Sequence, residues 1–283
     1  MIGADAMERP PYFQFVGAVF RCSVSTIARR KRTLLAAIVC LLPVAVPVAV
    51  SFVRAETPAY AGIELFVTLS ETLLLAALAP LMALFLATML LGEEVESQTM
   101  PYLLIRPMPR GALVLGKFLA YWCVAALLLL PAVWMTYAAC AAAGGMEVSR
   151  ATLLLTCHYC AVIAMALLGY GGLCLLLGAL FKKPVIAGIV IVFGWERLAN
   201  IVPGYIDFLT IEKYVRALLP LLPTERATPS FQTALGMYAK EELLIRPVSA
   251  AVILIAISAL LVGLTTLTVR RREYANARVV NGG

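Results

Sequence analysis

Three groups of residues in this sequence have the types and spacing that could support chemistry. The first, at Gly111 to Phe118, nearly matches the phosphate-loop pattern GxxxxGK[ST]. Gly116 and Lys117 occupy the Gly and Lys positions of that pattern. The last position of that pattern supplies a hydroxyl to magnesium, and Phe118 has none. The segment also opens an apolar run instead of following a buried strand. The near match therefore does not predict a nucleotide site.

The second group surrounds the single histidine, His158, which lies between Cys157 and Cys160. On a helix the two cysteines share a face, where thiolates could hold a soft metal or form a redox pair. A closed structural zinc site needs a fourth ligand, and the sequence does not indicate one. Cysteine is also a common small residue in helix cores. Ordinary packing is the favoured interpretation, and no metal is predicted.

The third group consists of charged residues near the ends of apolar runs: Glu64, Glu71, Glu196 and Arg197. Ionisable groups at membrane depth are functional candidates by default. Two interpretations stay open, because these groups could be hydrated or internally paired, or they could line a translocation path. For a path, the candidates are Glu71, Glu196 and Arg197. No HExxH or GxSxG signature is present, so the chain is not predicted to be an enzyme.

The bulk composition indicates which elements position these residues. The 283 residues are 62% hydrophobic and only 14% charged, whereas soluble domains are about 45–50% apolar and about 25% charged. A multi-pass membrane protein is therefore predicted. The net charge of +7 is concentrated in clusters such as Arg29–Arg32 and Arg270–Arg272. Clusters beside apolar runs mark cytoplasmic helix ends and argue against nucleic-acid binding.

Six apolar runs are each close to the ~20 residues that a bilayer core requires. We therefore predict an all-α membrane protein with a cytoplasmic leader at 1–33 and a single six-span domain at 34–283. The distribution of lysine and arginine predicts that both termini and the loop 92–115 are cytoplasmic. The long loop 204–247 is then extracytoplasmic. The predicted spans are 34–53, 68–91, 116–138, 152–180, 184–203 and 248–269.

Apolar periodicity predicts further helices outside the spans. In the leader it predicts an amphipathic helix lying on the inner membrane surface. The residues on its apolar face are Phe13, Val16, Phe20, Val24 and Ile27. A weaker pattern predicts short amphipathic helices near the outer surface. The residues of that pattern are Ile206, Leu209, Tyr214 and Leu218.

Small residues in the fourth span predict where helices approach closely. Four glycines, at 169, 171, 172 and 178, lie within this one apolar run. Small residues allow close contact between membrane helices. The pattern favours either packing within the chain or a subunit interface.

The loop between the second and third spans combines charge and turn-forming residues between two apolar runs. Three glutamates lie within Glu93–Glu96, and Pro101 suits the first turn of a helix. Tyr102–Ile105 forms an apolar patch, and the prolines in Arg106–Arg110 force a turn. The loop therefore predicts a short cytoplasmic helix shaped to dock into a groove of a cytosolic partner. A lipid-facing linker helix is the alternative.

The order of these residues resembles the permease (transmembrane) subunit of type-2 ABC exporters. That family carries an acidic pair, a small residue and threonine, a leucine-rich patch, Pro-x-x-Arg and then Gly-Lys. The six-span layout, basic leader and long outer loop extend the resemblance over nearly the whole chain. The matching residues are Glu94, Glu96, Ser97, Thr99, Leu103, Leu104, Pro107, Arg110, Gly116 and Lys117.

The resemblance implies a non-catalytic subunit that moves a substrate using ATP hydrolysed by a separate cytosolic ABC ATPase. ATP and magnesium would bind in that partner, and no cofactor is expected in this chain. A second permease copy and the lipid bilayer are the other expected partners, in a prokaryotic plasma (inner) membrane. Lys117 is expected to anchor the loop at the membrane surface. The residues expected to contact the ATPase are Glu93, Glu94, Glu96, Thr99, Arg106, Pro107 and Arg110.

One alternative function uses the same loop. A non-transport scaffold or assembly factor could hold a cytosolic protein through residues 92–115. A secondary transporter is disfavoured because the sequence has no mid-membrane charge network and no inverted repeat. The sequence does not specify the substrate.

Overall fold

The computed structural model describes residues 12–29, 31–53, 60–88, 90, 109–144, 146, 148–181, 183–196, 210–219 and 246–280. Every regular element within these ranges is a helix. The α-helices are α1 Tyr12–Ala28, α2 Lys31–Cys40, α3 Leu42–Val53, α4 Tyr60–Leu69, α5 Ala79–Met82, α6 Arg110–Gly144, α7 Arg150–Leu180, α8 Pro184–Gly188, α9 Ile211–Ala217 and α10 Pro247–Val280. Three segments are wider π-helix: π1 Ser70–Leu78, π2 Ala83–Ala87 and π3 Ile189–Trp195.

Five helical stretches are long and apolar enough to cross a membrane. They are Thr33–Val50, Gly62–Ala87, Arg110–Ala142, Arg150–Leu180 and Pro247–Arg271, and they match five of the six predicted spans. The predicted fifth span is described from Pro184 to Glu196 and includes the shorter apolar helix Pro184–Trp195, whereas its last residues lie outside the described ranges. The all-α membrane class is confirmed. Below, Gly62–Ala87 is called span two and Pro184–Trp195 is called span five.

The third span begins earlier than predicted. The sequence pattern places its start at residue 116, but α6 already begins at Arg110, directly after Pro109. The carbonyl of Pro109 accepts a hydrogen bond from the amide of Ala112 at 2.9 Å, which closes the first turn. At ~1.5 Å per residue, the 35 residues of α6 extend roughly 52 Å. That length exceeds the ~30 Å bilayer core, so part of α6 continues beyond the membrane.

Helices α6 and α7 pack as a close pair at the centre of the fold. A Cβ built on Gly171 of α7 would lie 2.1 Å from Cε1 of Tyr121 of α6. The Tyr121 hydroxyl donates to the carbonyl of Leu167 at 3.1 Å, and Nε1 of Trp122 donates to the carbonyl of Ala164 at 3.0 Å. Glycine therefore allows the ring of Tyr121 to lie against the α7 backbone, and two aromatic donors fix the pair.

The neighbouring glycines of α7 allow close contact with two other helices. An added Cβ on Gly169 would lie 2.9 Å from Leu254 of α10 and 2.9 Å from Ile211 of α9. An added Cβ on Gly172 would lie 3.3 Å from Cβ of Leu261 of α10. These glycines thus serve packing within the chain.

The predicted leader helix is present as α1, and part of its predicted apolar face is covered within the protein. The buried residues are Val16, Val19, Ser23 and Ile27, whereas Phe13 is 80% exposed. Val19 lies within 2.9 Å of a Cβ built on Gly116 of α6. The close contact with α6 therefore determines which residues are covered within the protein, and Val16 and Ile27 of the predicted apolar face are among them. Placement of α1 on the inner membrane surface stays a prediction.

The short helix α9, within the predicted outer loop, packs against α7. Its first residue, Ile211, packs against Gly169 of α7. Just past its other end, the carbonyl of Leu218 is 2.8 Å from Nε2 of His158. These contacts lie about two thirds and one third of the way along α7, so α9 runs beside α7. The position of α9 relative to the outer membrane surface stays a prediction.

Candidate coupling site and membrane-embedded carboxylates

The predicted ATPase-docking loop is described only at its two ends. Leu90 lies at the end of span two, and Pro109 and Arg110 begin the far side of the loop. Arg110 is the first residue of α6 and is half-buried. The remaining predicted contact residues lie outside the described ranges. They are Glu93, Glu94, Glu96, Thr99, Arg106 and Pro107.

Lys117 joins the two ends of this loop directly. Its side chain is only 4% exposed, and its Nζ donates a hydrogen bond to the carbonyl of Leu90 at 2.8 Å. A buried ammonium is costly unless it is hydrogen-bonded. The bond gives the ammonium a partner and links Leu90, just past span two, to the third turn of α6.

Two more helices meet α6 where the loop ends. Gly116, next to Lys117, packs against Val19 of α1. A Cβ on Gly111 would lie 3.0 Å from the hydroxyl of Tyr12 of α1 and 4.0 Å from Cγ2 of Thr266 of α10. The beginning of α6 is therefore held by α1, by α10 and, through Lys117, by span two. A displacement of the loop would act on all of these contacts.

The carboxylate of Glu71 is held inside the bundle by a tyrosine of α7. The hydroxyl of Tyr159 donates to Oε1 of Glu71 at 3.1 Å. Phe66, one turn before Glu71 in span two, makes edge-to-face ring contacts with Tyr159 and with Tyr137 of α6, both at 5.8 Å. Glu64 is exposed. Of the two predicted glutamates in this span, only Glu71 points into the protein.

Glu196 has a closely similar environment at the end of span five. It is 5% exposed, and its Oε2 accepts a hydrogen bond from the hydroxyl of Tyr170 at 2.7 Å. The sequence left two interpretations open for this residue, a hydrated or internally paired group and a group that lines a translocation path. The bond to Tyr170 is an internal pairing, and the role in a path stays a prediction. Arg197 lies outside the described residues. Glu212 and Arg216 of α9 form an ion pair nearby, since Ile211 packs against Gly169, the neighbour of Tyr170.

The two tyrosines were missed by sequence reasoning, although a weak signal existed. Tyr170 follows Tyr159 by eleven positions in α7, which at ~3.6 residues per turn is close to three full turns. Both hydroxyls therefore point to nearly the same side of α7, where span two and span five are neighbours. A Cβ on Gly188 of span five would lie 2.1 Å from Cδ1 of Leu84 of span two. One helix thus bonds a glutamate on each of two adjacent spans.

These same two spans carry all three π-helical segments of the described chain. Glu71 is the second residue of π1, and Glu196 directly follows π3. At the start of π1, the hydroxyl of Ser70 is buried and has no hydrogen-bond partner among the described residues. Elsewhere, Thr136 and Thr156 donate to the carbonyl four residues earlier. Leaving such a buried hydroxyl unsatisfied costs about 1–3 kcal/mol, and π-helical turns are frequent at functional sites.

The Cys-His-Tyr-Cys sequence divides its residues among different surroundings. Cys157 and His158 are exposed and Cys160 is half-buried. The ring of His158 is engaged with the carbonyl of Leu218, and Tyr159 bonds Glu71. Across the described ranges, no group of three or more histidine, cysteine or acidic residues could hold a metal ion.

Comparison with known proteins places the chain in a family. Residues 28–194 match the family model described as ABC-2 family transporter protein. The match covers more than half of the chain and includes the loop between span two and α6. A comparison with curated proteins finds no match. The family implies an ATPase partner and a membrane setting. The chain therefore belongs to the ABC-2 transporter family and is a multi-pass membrane permease of an ABC transporter.

Proposed function

We propose that this permease belongs to an exporter and that a separate cytosolic ABC ATPase powers it through the loop 92–115. The observation that carries the proposal is the bond from buried Lys117 to the carbonyl of Leu90. This bond makes the two ends of the loop one mechanical unit. A force applied to the loop therefore reaches span two and α6 together. ATP and magnesium bind in the partner, and this chain needs no cofactor of its own.

The proposed contact surface combines the charged and proline-containing parts of the loop. The three glutamates and Thr99 lie before the apolar patch, while Arg106, Pro107 and Arg110 lie after it. Acidic and basic groups at opposite ends of one short helix would fix its orientation in a groove. We place this loop and both chain termini in the cytoplasm of a prokaryotic cell, and the permease in its inner membrane. Two permeases, identical or not, pair with two ATPases.

The proposed mechanism is a shift between two permease conformations. ATP binding closes the ATPase pair and displaces the docked loops. The two states differ in their contacts at the loop, so ATP changes their relative populations. Spans two and five then rearrange around a path at the permease interface. We propose that Glu71, Glu196 and Arg197 lie along this path, because they belong to these two spans or directly follow them.

Charge reversal in the loop tests this function. The double variant Glu94→Lys, Glu96→Lys should lose co-purification of the ATPase and most of the permease-dependent ATPase activity. Glu64→Lys is the matched control, since Glu64 is exposed near the start of span two and should leave both measurements unchanged. If the double variant still binds a fully active ATPase, the docking proposal is wrong.

Reconstitution separates transport from the scaffold alternative. The permease and ATPase are placed in liposomes, and ATPase stimulation and transport are measured against a panel of drugs, lipids, peptides and polysaccharides. Stimulation together with ATP-dependent movement of one substrate class supports an exporter. Stable binding without stimulation or movement of any class supports a scaffold.

A further inference from the structure

We infer that Tyr159 and Tyr170 are positioning residues that hold spans two and five in one of two helical registers. The inference rests on the proposed function, because it identifies which contacts must break when the permease changes conformation. Each tyrosine hydroxyl donates to a glutamate on a different span, Tyr159 to Glu71 at 3.1 Å and Tyr170 to Glu196 at 2.7 Å.

The two hydrogen bonds have a common geometric origin. Both donors lie on one side of α7, separated by roughly 16 Å along its axis at ~1.5 Å per residue. Both acceptors lie in or beside π-helical segments, since Glu71 is within π1 and Glu196 follows π3. The same rigid helix therefore holds two irregular helices at two depths.

A π-helical turn contains one residue more than the α-helical turn that could replace it. When it becomes an α-turn, the helix on one side rotates relative to the other by roughly 100° and shifts by roughly 1.5 Å. A rotation of that size at π1 would move the carboxylate of Glu71 away from Tyr159. The corresponding change at π3 would separate Glu196 from Tyr170. The tyrosine bonds therefore favour the π register.

Ser70, at the first position of π1, carries a buried hydroxyl that has no hydrogen-bond partner within the described structure. Within the same π1 segment, Thr72 does donate to the carbonyl of Thr68, four residues earlier. The unsatisfied hydroxyl therefore lies directly beside Glu71, the residue that Tyr159 holds.

The pair α6 and α7 supplies the reference for the experiment. Tyr121 is also buried and also donates from its hydroxyl, but to the backbone carbonyl of Leu167 between these two helices. It contacts neither glutamate through that bond. Tyr121→Phe therefore removes the same chemical group in the same core without acting on span two or span five.

The experiment measures register populations in the full permease in nanodiscs. Spin labels are introduced as genetically encoded amino acids at exposed sites, so the native cysteines remain. Distances are recorded by pulsed electron resonance from Leu127 of α6 to Glu64 and Phe85, on either side of π1, and to Ile186 of span five. Measurements are made on the permease alone, and then with the ATPase and a non-hydrolysable ATP analogue.

Without ATP, Tyr159→Phe should increase the second distance population of span two by roughly five- to tenfold, the equivalent of losing one ordinary hydrogen bond. Tyr170→Phe should do the same for span five. Tyr121→Phe should lower thermal stability without changing the distances.

Two results would overturn the inference. One is folded Tyr159→Phe and Tyr170→Phe protein with the wild-type distance distributions. The other is an equal population change in Tyr121→Phe, which would indicate general loosening. Because the first measurements omit the ATPase, failure of the loop to bind an ATPase contradicts only the proposed function.

Discussion

The helix pair α6 and α7 differs from spans two and five in how its polar groups are used. Between α6 and α7, tyrosine and tryptophan donors bond backbone carbonyls, and Gly171 allows direct ring contact. Both helices are α-helical along their whole length and contain no π-helical segment, although α6 has one internal proline, Pro131. Spans two and five instead contain π-helical segments, and tyrosines of α7 donate to glutamate side chains in or directly beside them.

This difference separates a fixed support from adjustable elements. A backbone carbonyl cannot leave its helix, so a bond to it fixes one arrangement. A glutamate side chain can exchange its partner when its helix rotates. Membrane proteins retain ionisable groups at depth mainly where they serve function. The comparison therefore suggests that α6 and α7 provide stability, whereas spans two and five provide the conformational change.

The largest expected effect tests the fixed support. Gly171→Ala should destabilise the protein by about 1–3 kcal/mol, because overpacking forces neighbours to shift and the new Cβ would be 2.1 Å from Tyr121. Thermal denaturation in detergent measures the change. Gly263→Ala in α10 is the control, since nothing lies within 4 Å of its added Cβ. Equal behaviour of the two variants would contradict close packing of α6 and α7.

The next effect tests the connection between the two regions. Lys117→Met should leave the carbonyl of Leu90 without this donor, at a cost of about 1–3 kcal/mol. It should also reduce substrate moved per ATP hydrolysed, because span two and α6 would no longer move together. Transport and hydrolysis are measured in the same liposomes.

Lys183→Met is the control for that measurement, because Lys183 is exposed beside the start of α8. A normal ratio of transport to hydrolysis in folded Lys117→Met protein would show that the bond has no role in coupling.

The smallest expected effect tests whether the α6–α7 pair contributes only stability. Trp122→Phe removes the hydrogen bond to the carbonyl of Ala164 and should lower the free energy of unfolding by about 0.5–1.5 kcal/mol. The protein should unfold at a lower temperature, yet its ratio of transport to hydrolysis should equal that of wild type. If the ratio of transport to hydrolysis changed while the stability did not, α6 and α7 would take part in the conformational change. The contrast between this pair and spans two and five would then be wrong.

The membrane class and most helix positions could be predicted from the sequence because length and hydropathy are local properties. Gly171 and Gly172 could likewise be identified as close-contact positions, since small residues in a span have few other uses. The loop motif was enough to predict the family, and the family-model match over residues 28–194 confirms that prediction.

The internal contacts could not be predicted, because they depend on residues far apart in the chain. Tyr159 and Glu71 are 88 residues apart in the chain, and no periodicity pairs them. For α1, periodicity predicts an apolar face, but it does not predict which residues of the helix contact α6. For α9, the same amphipathic pattern suits a surface helix and a helix beside α7.

The packing of α1 against Gly116 also sets an order of events during synthesis. Val19 leaves the ribosome about a hundred residues before Gly116, the residue of α6 that it contacts. At about 5–20 residues per second, α1 waits for roughly 5–20 seconds. During that time Val16, Val19 and Ile27 have no α6 to cover them. With α1 on the cytoplasmic side, as predicted from the sequence, the inner leaflet would offer a temporary apolar surface. The leader would then lie against the membrane until the third span is inserted and α6 covers these residues.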